Sequence, residues 1–207
     1  YKIECDQREA EAGARNQELD KLVNDLAFDI ESAIHEYVGI VLANSVYPDA
    51  FPVEHGYVFD LVTRELTLTV TVPPPSAVPT VKGYKYVKVN DEISSTSLPV
   101  KAQKDRYASA VHQVAVRTLH EIFEADRGSK ICLIALTVVT DTIAPGTGLP
   151  ETIPFVIVAA DRETFGRFDL TNVVPRATLE HLGAAVSKSP FDLTPADTSR
   201  GVRVRRQ

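Results

Sequence analysis

Methionine and tryptophan are missing from this 207-residue sequence, and cysteine occurs only at Cys5 and Cys132. Two thiols, one in a polar stretch and one inside an apolar run, exclude a disulfide-stapled scaffold and fit the reduced thiols of a cytoplasmic protein. No apolar run approaches the roughly 18 residues that a membrane-spanning helix needs, and no basic-then-apolar leader opens the chain. No membrane partner is expected. The absence of an initiating methionine is expected of a segment excised from a longer protein. Catalytic fingerprints are also scarce. Gly146-Thr147-Gly148 has neither the Gly-Lys-Ser/Thr of a phosphate loop nor the third glycine of a dinucleotide site, and reads as a hairpin turn. Ser45, Ser187 and Ser189 lack a nucleophile-elbow context, and Cys132, expected to be buried, has no histidine near it in sequence.

What is present is enough apolar character, 44% against 24% charged, to bury one sizeable core. The net charge of −6 argues against a wholesale nucleic-acid coat, yet it is unevenly spread. Residues 1–36 hold ten acids against four bases, which equals the imbalance of the whole chain. Residues 82–106 reverse it, with six bases against Asp91, Glu92 and Asp105, and residues 188–207 set five bases against Asp192 and Asp197.

The periodicity predicts an α+β fold. A mostly antiparallel sheet of about four or five strands packs against a long central helix, behind an N-terminal helical extension. Leu19, Leu22, Val23, Leu26, Ile30, Ile34, Tyr37 and Val41 recur at helical steps, so residues 3–44 read as one helix, its first turns solvated and coiled-coil-like. Pro48 and Pro52 stop it. A hairpin follows over 57–72, with a turn near Thr63 and Arg64 and with Leu66, Leu68, Val70 and Val72 alternating with polar neighbours. Residues 82–89 read as a further strand and 91–99 as loop. A principal helix is predicted over 100–125, a central hairpin over 131–140 and 153–160, and short helices over 162–167 and 175–185. The domain organisation expected is a helical extension (1–45), an α+β domain (46–199) and a basic tail or linker (200–207).

The segment Lys82-Gly83-Tyr84-Lys85-Tyr86-Val87-Lys88 carries the most specific chemistry. If it is extended, Lys82, Tyr84 and Tyr86 lie on one side and Lys85 on the other, and the following helix opens with Lys101, Lys104 and Arg106. Lysines supply phosphate contacts and tyrosines stack on bases, so these eight residues are the candidate nucleic-acid set. The structural alternative is an edge strand whose lysines deter aggregation and whose tyrosines pack. A second functional alternative is a protein-interaction module that self-associates through the N-terminal helices, with no nucleic-acid role.

Other constellations are incomplete. Asp49, Asp60 and Glu65 resemble the acids of a PD-(D/E)xK nuclease centre, but the position of its lysine is Thr67. His120 and Glu124 lie one helical turn apart, where the His-Glu-x-x-His zinc pattern would require a second histidine. Neither supplies a metal site, and no catalytic residue is assigned. Arg200-Gly-Val-Arg-Val-Arg-Arg206 reads as a basic linker or a phosphate contact.

Longer phrases point to a family. Val38-Gly-Ile-Val-Leu-Ala-Asn-Ser-Val-Tyr-Pro48, Tyr84-Lys-Tyr-Val-Lys88 with Asp91-Glu92-Ile93, the helix from Asp105 to Asp126, and Leu179-Glu-His-Leu-Gly-Ala-Ala-Val-Ser-Lys188 resemble the region before the nuclease domain of actinobacterial Mrr-like restriction-system proteins. The likeness spans about residues 17–199. It implies a coiled-coil lead, this α+β module and then a PD-(D/E)xK nuclease domain that would use Mg2+. That nuclease segment is not among these 207 residues. The resemblance therefore implies a non-catalytic accessory or regulatory module of a phage-defence endonuclease, with DNA as its partner and no cofactor of its own.

Overall fold

A computed structural model describes residues 2–199 of the chain; the basic run from Arg200 to Arg206 falls outside them. Two helices open it, α1 (Lys2–Ala27) and α2 (Glu31–Ala43). The single helix read over 3–44 is thus interrupted, and hydrogen bonding gives the reason. Asp29 adopts the left-handed conformation (φ 56°), its amide donates to Leu26 O and the Ile30 amide donates to Asp25 O. This is a Schellman closure with aspartate in the position glycine usually takes. Lys130 and Arg64 hold the Asp29 carboxylate there, and the hydrogen bond from Lys130 is the main reason its pKa lies below the usual carboxylate value.

The expected hairpin forms from β1 (Glu54–Asp60) and β2 (Glu65–Thr71), paired antiparallel from Glu54↔Thr71 to Asp60↔Glu65. A second hairpin, β3 (Val81–Val87) and β4 (Glu92–Ser97), follows. The segment read as loop over 91–99 is therefore largely a strand. Its Ser-Ser-Thr-Ser run has no apolar alternation, and pairing with β3 rather than burial makes it extended. The principal helix, α3, spans Val100–Ala125, as its periodicity predicts. Then come β5 (Leu133–Ile143), β6 (Pro150–Asp161), the single turn α4 (Arg162–Phe165), α5 (Pro175–His181) and the short β7 (Ala185–Val186). The helix expected over 175–185 stops early because Gly183 (φ 75°) closes it with its own amide on Glu180 O and that of Ala184 on Leu179 O.

The main sheet runs β1-β2-β5-β6-β7, antiparallel except where β2 and β5 lie parallel, Leu66 beside Ile134 and Val70 beside Val138. α3 lies within that parallel crossover. Alternation decides the layers: Leu66, Leu68, Val70, Ile134, Leu136 and Val138 point into one core with Ile34 and Val38 of α2 and Val111, Leu119 and Ile122 of α3. Thr67 and Thr69, on the other face, are exposed. Tyr107 is buried at the centre, its ring edge-on to Phe155 and its hydroxyl donating to Pro73 O at 2.8 Å. Burial pushes its phenol far above the ordinary value. Cys132, expected inside, is exposed, because the buried residue at this point is its neighbour Ile131 and β5 begins only at Leu133.

Candidate nucleic-acid interface

β3 and β4 form a two-stranded sheet separate from the main one. A register shift between Val81 and Gly83 leaves Lys82 as the extra residue of a bulge, after which Tyr84 faces Ser95, Lys85 faces Ser94 and Tyr86 faces Ile93. Two-residue alternation puts Tyr84 and Tyr86 on one face, with Ile93 of β4 beside Tyr86, and Lys85 on the other. The bulge releases Lys82 from the side it was expected to share with the tyrosines. Lys88 opens the connecting turn, which Asp91 closes in the left-handed conformation (φ 52°).

Among the described residues, nothing covers this hairpin. Tyr84 is 75% exposed, Tyr86 55% and Ile93 71%, and β4 is exposed along its whole length. Among the described residues, the two tyrosines are therefore not packed as the edge-strand alternative expected. Tyr86 Oη donates to the Asp91 carboxylate, and that hydrogen bond raises the phenol's pKa. Lys82, Lys85 and Lys88 make no ion pair among the described residues.

At its root the Leu98 amide donates to Thr80 O at 2.8 Å, and α3 begins two residues later. Lys101 and Arg106, both exposed, therefore follow the hairpin directly on the first turns of α3. Lys104 is committed elsewhere, donating to Asp192 at 2.7 Å and thereby lowering that carboxylate's pKa with help from Ser189. Arg106 reaches a groove of about 540 Å³ along α3, lined by Tyr47, Phe51, Val78, Arg117 and Val173 among others. Arg117 lies over the Tyr47 ring at 4.6 Å while bound to Glu121 at 2.6 Å. That groove was not anticipated, because its walls come from four separate stretches of chain.

The remaining candidates have ordinary structural roles. Asp60 accepts from the amides of Val62 and Thr63, which lower its pKa, and so caps the β1–β2 turn opposite Glu65. Asp49 is exposed on the loop before β1, and His120 and Glu124 form an exposed pair on α3. Among the described residues, no three His, Cys, Asp or Glu side chains gather as metal ligands, and no helix is long and apolar enough to cross a membrane. Sequence reasoning missed a latch at the end of α3. Asp126 accepts from the Lys130 and Ile131 amides and from Arg162, which also donates to the carbonyls of Phe123 and Ile131. Compared with known families, curated proteins and solved structures, the chain matches none.

Proposed function

We propose that this chain is an accessory module of a DNA-restriction or phage-defence protein, and that it contacts nucleic acid through the β3–β4 hairpin. The observation that carries the reading is a hairpin with no fully buried residue, whose surface holds exposed Tyr84 and Tyr86 together with Lys82, Lys85 and Lys88, which make no ion pair among the described residues. An isolated two-stranded sheet is marginal in water, and retaining one without packing favours a surface role. Lys101 and Arg106 extend the cationic surface onto α3, and Lys104 contributes only when it leaves Asp192. The resemblance in the sequence supplies the biological setting and assigns cleavage to a nuclease domain elsewhere in the protein.

Fluorescence anisotropy with labelled single-stranded and duplex DNA at two salt concentrations tests this. Binding is expected to weaken steeply with salt. Lys82→Gln, Lys85→Gln and Lys88→Gln together are expected to reduce the log–log salt slope by about 2 for single strands, at roughly 0.7 per phosphate contact. Tyr84→Ala with Tyr86→Ala is expected to cost about 2 kcal/mol on single strands, where bases are free to stack. Absence of binding to either DNA at low salt would overturn the reading.

A further inference from the structure

α1 is a long helix with little to hold it. No side chain from Glu4 to Asn24 makes a hydrogen bond or ion pair among the described residues, and everything from Glu4 to Lys21 is exposed. A polar helix containing Gly13 is marginal on its own in water, so an added partner is needed to keep it formed.

The sequence of α1 repeats every seven residues. An acid followed by a less polar residue recurs as Glu4-Cys5, Glu11-Ala12, Glu18-Leu19 and Asp25-Leu26. A seven-residue repeat is the period of a left-handed supercoil rather than of a lone helix. With Cys5, Ala12, Leu19 and Leu26 at the d positions, the a positions are Lys2, Glu9, Asn16 and Val23. At the C-terminal end of α1, Val23 at a with Leu19 and Leu26 at d is the pattern of a parallel two-stranded coil, and a single asparagine at a, Asn16, fixes its register. The same frame sets Arg15 at g and Asp20 at e, which attract one another across a parallel, in-register pair.

We propose that α1 pairs with α1 of a second copy of this chain as a parallel, in-register, two-stranded coiled coil. Leu19 is 52% exposed and Val23 64%, so the seam is open to a partner. At about 100° per residue, the seam of Leu19, Val23 and Leu26 lies roughly a quarter turn from Leu22 and Asp25, which are half-buried against the body. Leu26 is shared between seam and core. In an antiparallel pair a positions face d positions, which would bury Asn16 against an apolar residue with no amide to answer it. Lys2 and Glu9 are the weak points of the parallel seam, since like charges meet at each. The pairing is independent of the hairpin reading and adds to it a second hairpin per assembly.

The test uses the full chain carrying Cys132→Ser, which leaves Cys5 as the only thiol. Sedimentation velocity is expected to give twice the 22.7 kDa chain mass. Mild oxidation is expected to link the copies through Cys5, because d-position thiols meet across the axis of a parallel coil within disulfide reach. Leu19→Asp with Val23→Asp is expected to return the monomer while the near-UV spectrum of the body tyrosines is unchanged, and Glu9→Leu to tighten the dimer. A monomer at every concentration, a dimer that does not cross-link at Cys5, or a dimer that survives Leu19→Asp with Val23→Asp would each overturn the proposal.

Discussion

The two hairpins β1–β2 and β3–β4 have strands of similar length, and they belong to different worlds. In β2, Leu66, Leu68 and Val70 are wholly buried while Thr67 and Thr69 between them face outward. In β3 and β4 no residue is fully buried, and the large side chains Tyr84, Tyr86 and Ile93 are mostly in water. The first hairpin exists because one face was removed from solvent. The second is held by its own ladder and by its anchorage to α3, so its side chains are free for something other than packing.

Paired truncations break or sharpen that contrast. Leu68→Ala is expected to destabilise by about 3 kcal/mol, as a large-to-small change in a filled core does, whereas Tyr84→Ala is expected to move stability by less than about 0.5 kcal/mol. Urea unfolding measures both; comparable losses would mean that the β3–β4 hairpin is packed after all. Asp126→Ala removes the acceptor for two amides and a guanidinium, and is expected to cost about 3 kcal/mol, read as a lower thermal midpoint.

Acid should separate the regions as well. Burial is the first cause that lowers the pKa of both His55 and His112, with the positive Arg176 lowering His112 further and Glu180 opposing it. Unfolded histidine binds its proton near pH 6.5, so this part of the stability is complete above that value and is lost as pH falls below it toward the lower folded values. Thermal midpoints are expected to drop between pH 7 and pH 5, and His112→Gln to flatten the drop. The β3–β4 hairpin contains no histidine and takes no part. The smallest effect belongs to Lys104→Ala, which removes a half-exposed ion pair with Asp192 and is expected to shift the same melts less than any other of these variants.

Much of the body was legible because burial leaves a period in the sequence. The 3.6-residue spacing through Tyr107, Val111, Leu119 and Ile122 located α3, and the two-residue alternation from Leu66 to Val72 located β2. Features without such a period were hidden. β4 is Ser- and Thr-rich and is extended only through pairing, and the break at Asp29 depends on a left-handed aspartate inside an uninterrupted apolar stripe. The same loss of information affects the candidate site. Lysine and tyrosine spacing located the hairpin, but the bulge at Lys82, the capture of Lys104 by Asp192 and the groove beside Arg106 arise from contacts between distant segments.

The hydrogen bond between Leu98 and Thr80 has a consequence for the architecture as a whole. Because the chain leaves the body and returns to it at adjacent points, residues 81–97 behave as a cassette carried in the crossover between β2 and β5. Replacing them with a short glycine-containing turn should leave the crossover closed, since loop-closure entropy changes only slowly with length. A lineage could therefore exchange the tip for another specificity while the scaffold beneath it stayed the same.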